Sequence, residues 1–257
     1  MSAKDLQAII GDWPYESGQI NVRKIRGDDN RMKIQMRVNL GILQMEIKGR
    51  PDGSRPFDHE SLLDYHRERA EGHRIRHETD LGFSLSPDEC REIREEAFQY
   101  YQRYLANFVL EDYAAVVRDT QRNLDALEFC RQYAGDEEDR YSMEVYRPYI
   151  VMMNVRSAAM LAMTKNHYRT ALSHVRSGLR KLKDFYQQFA PPGAYRESAE
   201  VQVLRSLRRE LRKYVPVSPI WKTSKMLDRA IREERYEDAA RLRDELETLR
   251  KQNGEQV

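Results

Sequence analysis

The chain has 257 residues, 40% of them apolar and 33% charged, and its 44 Lys and Arg against 42 Asp and Glu leave a formal net charge of +2. The charged share exceeds the usual quarter and points to long solvated helices, while the near-neutral balance excludes a general case for nucleic acid or an anionic membrane and leaves that case to local clusters. No run approaches the ~18 apolar residues of a membrane-crossing helix, and the start, Met1 to Ile10, lacks a signal peptide's apolar core, so the expected location is the cytoplasm. Cys90 and Cys130 lie forty positions apart in predicted helices; two isolated thiols suit a reducing compartment.

Residues 1–18 read as an irregular lead-in around Trp13-Pro14-Tyr15, set to cover a sheet edge. From Gln19 the period becomes two. Ile20 and Val22 alternate with polar neighbours, Gly27-Asp28-Asp29-Asn30 is a turn signal, and Met32, Ile34, Met36, Val38 and Leu40 alternate with Lys33, Gln35, Arg37 and Asn39. The phase then flips to Leu43, Met45 and Ile47, which requires a tight turn near Asn39–Gly41 or a bulge at Gly41. This predicts a three-stranded antiparallel meander over 1–57, which needs a helix to cover its apolar face.

A helix is expected over 60–77, weakened at Gly72. Ser86-Pro87-Asp88-Glu89 is a strong helix start, with Ser as cap, Pro in the first turn and Glu closing a capping box. Aromatic-rich helical sequence with Phe98 follows to Gly135, broken near Leu110–Asp112, with Tyr100, Tyr101, Tyr104 and Phe108 expected in the core. Further helices are predicted over 141–163, 168–188 and 197–213. Pro191-Pro192-Gly193 separates the last two, and Val215-Pro216-Val217-Ser218-Pro219 is expected as a linker. Leu110-Glu111-Asp112-Tyr113-Ala114-Ala115-Val116 and Lys165-Asn166-His167-Tyr168-Arg169-Thr170-Ala171 share an aromatic after a polar turn and a small or β-branched residue three positions on. They resemble the turn and second helix of a tetratricopeptide repeat, although their separation of 55 departs from the ~34 of that repeat; a plain helical bundle is the alternative over 58–214.

The final stretch, 220–252, carries two helical runs. Leu227, Ala230 and Ile231 form one; Glu233, Glu234 and Arg235 interrupt it; Tyr236, Ala239, Leu242, Leu246 and Leu249 form the second. Two narrow apolar seams with a short polar break describe an antiparallel helical hairpin, too small to be stable without a partner. The phrase Glu233-Glu234-Arg235-Tyr236-Glu237-Asp238-Ala239-Ala240-Arg241-Leu242-Arg243-Asp244 resembles the UVR motif of the UvrB and UvrC excision-repair subunits, McsA-type kinase activators and some Clp-family ATPases. The resemblance covers about a tenth of the chain. It implies a hairpin that pairs with a UVR-like hairpin or with a second copy, through Tyr236, Ala239, Ala240, Leu242, Arg243, Asp244, Leu246 and Leu249. It transfers no activity: neither a phosphate loop nor zinc-binding cysteine pairs are present.

Other constellations are weaker. His59, His66, His73 and His77 recur at helical spacing, but without cysteine and across Gly72 they read as a solvated face, so no metal site is assigned. Arg205, Arg208, Arg209, Arg212 and Lys213 form a basic stripe, the candidate nucleic-acid contact. No nucleophile elbow, dinucleotide fingerprint or acid–base pair is present, and neither catalytic residues nor a cofactor is assigned. The expected protein is α+β and mostly α: an N-terminal sheet, a tetratricopeptide-like helical domain and a C-terminal hairpin. Its expected role is a non-enzymatic adaptor. The alternatives are a nucleic-acid-binding accessory factor in repair or on the ribosome, and a regulator of a kinase or Clp-type protease. A protein partner is favoured over nucleic acid, and no membrane partner is expected.

Overall fold

The computed structural model describes residues 6–215 and 219–252. The chain divides into two compact units, Met1–Arg208 and Arg209–Val257. Helices dominate: α1 (Gln7–Ile10), α2 (Leu62–His77), α3 (Pro87–Val109), α4 (Tyr113–Tyr133), α5 (Glu137–Ser142), α6 (Arg147–Met163), α7 (Tyr168–Phe189), α8 (Ala194–Glu197), α9 (Ala199–Tyr214), α10 (Pro219–Arg232) and α11 (Tyr236–Gln252). Three strands, β1 (Val22–Arg26), β2 (Met32–Val38) and β3 (Gly41–Glu46), form an antiparallel sheet in sequence order. The protein is thus α+β and mostly helical, as expected. Of the anticipated linker, residues 216–218 lie outside the described residues, and Pro219 begins α10 rather than belonging to the linker.

The phase flip in the sheet comes from a tight turn. Val38 pairs with Gly41, so Asn39 and Leu40 form a two-residue connection. Leu40, which the alternation assigned to the apolar face, sits at this tip and is 88% exposed. Val22, Ile34, Met36, Leu43 and Met45 form the apolar face, packed with Ala106 and Leu110 at the end of α3. On the opposite face Arg23 donates to Gln35 at 2.8 Å and Gln35 to Gln44 at 2.9 Å. Trp13 stacks over Arg23 at 4.1 Å and its carbonyl accepts from Arg37, so the lead-in lies against this polar face instead of covering an edge.

Ser61 caps α2, which runs through Gly72 without a break. A Cβ at Gly72 would meet nothing within 4 Å, so the glycine lowers helix propensity without creating a kink. Ser86 and Glu89 make the anticipated capping box of α3. In the core between α2, α3 and α4, Leu62, Leu63, Ile93, Ala97 and Leu127 surround Cys90 and Cys130. The two thiols are therefore not isolated. They share one buried cluster, and their mutual interaction holds Cys90 below the usual thiol range and, with burial, pushes Cys130 up. Of the aromatics expected in the core, Tyr100 and Tyr104 are buried, whereas Tyr101 and Phe108 are half-buried.

A buried ionic lattice ties the sheet to the helices, and single-residue periodicity gives no sign of it. Arg103 forks onto Asp119 at 2.8 and 2.9 Å, both groups being about 1% exposed, and its remaining nitrogen donates to the carbonyls of Glu46 and Gly49 at 2.9 and 2.8 Å. Arg118 bonds Asp119 and the Ile47 carbonyl. Fully buried Glu96 pairs with Arg122 and accepts from the Leu62 amide at 2.8 Å. Burial lowers the Arg122 guanidinium to about 9. Arg103 at 4.9 Å and Arg122 at 4.2 Å both make cation–π contacts with the Tyr100 ring.

Candidate functional site

The terminal hairpin closes on a corner whose hydrogen bonds are fully accounted for. Glu234 takes φ 56°, the Arg235 amide donates to the Ala230 carbonyl at 2.9 Å, and the Glu234 amide donates to the Ile231 carbonyl at 3.1 Å. These two bonds make a Schellman termination of α10, with a glutamate where glycine is usual. The Tyr236 amide then bonds the Glu234 carbonyl and α11 begins.

The same corner occurs twice in the first unit. Glu111 has φ 57°, with Asp112 N–H on Asn107 O and Glu111 N–H on Phe108 O; Asn166 has φ 58°, with His167 N–H on Ala162 O and Asn166 N–H on Met163 O. Each corner is followed two residues later by a tyrosine opening the next helix (Tyr113, Tyr168, Tyr236), and then by a buried small or β-branched side chain three positions on: Val116, Ala171, Ala239. The resemblance between the two middle stretches is therefore a shared helix–corner–helix device, and the hairpin is its third instance. The tetratricopeptide likeness goes no further than this device, because α3 and α4, at 23 and 21 residues, exceed what a ~34-residue repeat holds.

Within the hairpin the candidate partner residues separate into two sets. Ala239, Leu242 and Leu246 are buried, the first two packed with Ala230 and Leu227 of α10. Tyr236, Ala240, Arg243 and Asp244 are exposed, and Leu249 is half-buried. Ala230 and Ala239 have no side chain beyond Cβ, which lets the two backbones approach closely. Thr223 reaches across to Glu245 at 3.2 Å. The exposed face bears a lattice of surface ion pairs: Arg229 with Glu233, Arg235 with Glu233 and Asp238, Arg241 with Asp238. These pairs hold the Glu233 carboxyl below its usual range and Arg235 above its own. Being solvated, they add little to stability.

The α9 stripe is less uniform than its spacing suggested. Arg205 is half-buried over the Tyr195 ring at 5.0 Å and Arg208 is half-buried. Arg209, Arg212 and Lys213 are exposed, and Lys213 is paired with Glu210. The histidines do not share a face. His59 pairs with Glu68, His66 is buried, and only His73 and His77 lie together, 4.4 Å between ring centres. Among the described residues no group of His, Cys, Asp and Glu is arranged to hold a metal. Sequence reasoning missed the exposed Ile231, 54% accessible, which its apolar spacing had assigned to the seam.

Residues 218–252, spanning α10 and α11, match the family model of the UVR motif, described as the UvrB/uvrC motif. The chain thus carries a UVR helical hairpin. Neither a curated protein nor a solved structure matches the chain.

Proposed function

We propose that the protein is a non-enzymatic adaptor whose module at 220–252 docks a protein partner, either a UVR-like hairpin or a second copy of itself. The sheet of 1–57 and the helices of 58–214 act as the body it tethers. One observation carries this reading: Tyr113 and Tyr168, the corner tyrosines of the first unit, are half-buried, whereas their counterpart Tyr236 is 71% exposed. An aromatic ring left in water on a rigid corner is the kind of side chain that anchors interfaces. Tyr236, Ala240 and Arg243 follow each other at four and three residues along one flank of α11, and the right-handed sense of the two helices puts Ile231 on the same side of the hairpin. Ala240 leaves this flank low enough for a helix to approach, and Arg243 and Asp244 supply polar contacts at its rim. Ala239, Leu242 and Leu246 shape the hairpin from inside.

The test is co-purification from the native host and sizing of the pure chain, with Tyr236→Asp and Ala240→Glu variants whose helicity is checked by circular dichroism. The adaptor reading expects both to lose association at unchanged helicity. Retention of every wild-type partner by both variants would end it.

A further inference from the structure

The near-neutral total conceals one segregated stretch. Between Glu144 and Asp184 the chain contains no Asp or Glu, yet it has eight Lys and Arg and two His. The stretch comprises α6, which is largely buried, and most of α7, whose apolar side faces the core through Ala171, Leu172, Val175, Leu179 and Leu182. Its solvent side is therefore cationic. Arg169, Arg176, Arg180 and Lys183 follow one another at seven, four and three residues, one face of a helix, and all four are exposed. From Arg169 to Lys183 the stripe runs about 21 Å along the axis.

Two features separate this face from an ordinary solvated helix. Many surface cations elsewhere on the chain are paired, as with Lys225 and Asp228, Arg229 and Glu233, and Lys251 and Glu247. Among the described residues the α7 cations form no ion pair, and Asp184 at the end of the stripe is the one carboxylate on the helix, so the four cations repel one another with little compensation. The exposed side chains between and beside them are Thr170, Ser173, Ser177, Gln187 and Gln188, which are hydroxyls and amides, together with His174, Lys181 and the single carboxylate Asp184. Among the described residues of α7, no large apolar side chain before Phe189 is exposed. A protein interface needs apolar or aromatic anchors, and a single-strand or base-stacking site needs exposed aromatic rings; this face has neither. Unpaired cations with interspersed neutral donors are what phosphodiester contacts use. The surface continues on the same unit, because Tyr195 donates to the Leu179 carbonyl at 3.3 Å and carries Arg205 over its ring.

We propose that the solvent face of α7, with Arg205 at its margin, binds the phosphate backbone of a nucleic-acid duplex without reading its sequence. A duplex carries one charge per about 1.7 Å of axis, so the length matched by the stripe carries roughly a dozen phosphates over its two strands, of which the stripe meets those on one side. The site lies wholly in the first unit and does not depend on the hairpin reading.

The test uses the full chain and measures anisotropy of short labelled DNA and RNA duplexes across a salt series. Polyglutamate and phosphatidylserine–phosphatidylcholine vesicles serve as competing anionic probes. Arg176→Gln, Arg180→Gln and Lys183→Gln combined should weaken duplex binding about tenfold or more and reduce the magnitude of the salt slope by about 2–3. Arg74→Gln, Arg76→Gln and Arg91→Gln combined, an equal change of charge on exposed positions of the same unit, should leave both unchanged. The DNA and RNA arms identify which duplex is bound. Equal loss in the two triple variants, absence of saturable binding to either duplex at low salt, or tighter binding to polyglutamate or vesicles would each overturn the proposal.

Discussion

Individual side chains of the hairpin divide into those that hold its structure and those left in solvent. Leu242 and Tyr236 illustrate the division. Both belong to the same apolar run in the sequence, yet one is 6% and the other 71% exposed. Leu242→Asp places a charge in the seam against Ala230 and should melt the hairpin, whereas Tyr236→Asp should leave its circular dichroism intact and remove only association. In the core, Arg103 and Asp119 are a buried pair with satisfied hydrogen bonds. Arg103→Met leaves the buried Asp119 carboxylate with only the half-exposed Arg118 as partner and should lower stability in urea by about 3 kcal/mol, while adding Asp119→Leu should restore much of that loss. A double variant no better than the single one would mean the hydrogen bonds to Glu46 and Gly49, rather than the ion pair, carry the effect.

At the level of elements, local chemistry was legible and long-range pairing was not. The capping box at Ser86, the break at Glu111 and the hairpin of α10 and α11 all follow from backbone preferences that a few adjacent residues express. Cys90 meeting Cys130, or Glu96 meeting Arg122, depends on how α3 and α4 fold back on each other, and no local pattern encodes that. The α7 face did leave a trace, the missing acids between Glu144 and Asp184, but a search for clusters of positive charge passes over an absence of negative charge. Gly178 is another element-scale feature. A Cβ there would lie 2.5 Å from Val155 Cγ2 and 2.8 Å from Cγ1, so α6 and α7 touch because this position has no side chain. Gly178→Ala should cost about 1–3 kcal/mol through overpacking. Val155→Ala in the same chain should relieve it, and a double-mutant cycle by thermal melting reads the coupling.

Across the whole molecule, a net charge of +2 arises from patches of opposite character rather than from an even mixture. Carboxylates are spent inside the first unit on Arg103, Arg118 and Arg122, and on the hairpin they interlock with arginines, while α7 has Asp184 as its one carboxylate. No helix among the described residues is long and apolar enough to cross a membrane.

The Arg103 fork has a kinetic consequence. Its guanidinium holds the carbonyls of Glu46 and Gly49 while its other nitrogens hold Asp119, so the end of β3 is fastened to the interior of the α3–α4 pair. A small three-stranded sheet ordinarily frays, and its amide hydrogens exchange with deuterium through cheap local openings. Here the end of β3 opens only by breaking two hydrogen bonds from a buried guanidinium. Native-state exchange should therefore show the β2–β3 ladder amides protected as strongly as those of α4, moving in step with them as denaturant is added. In Arg103→Met the same ladder should exchange ahead of α4, as a separate and weaker unit.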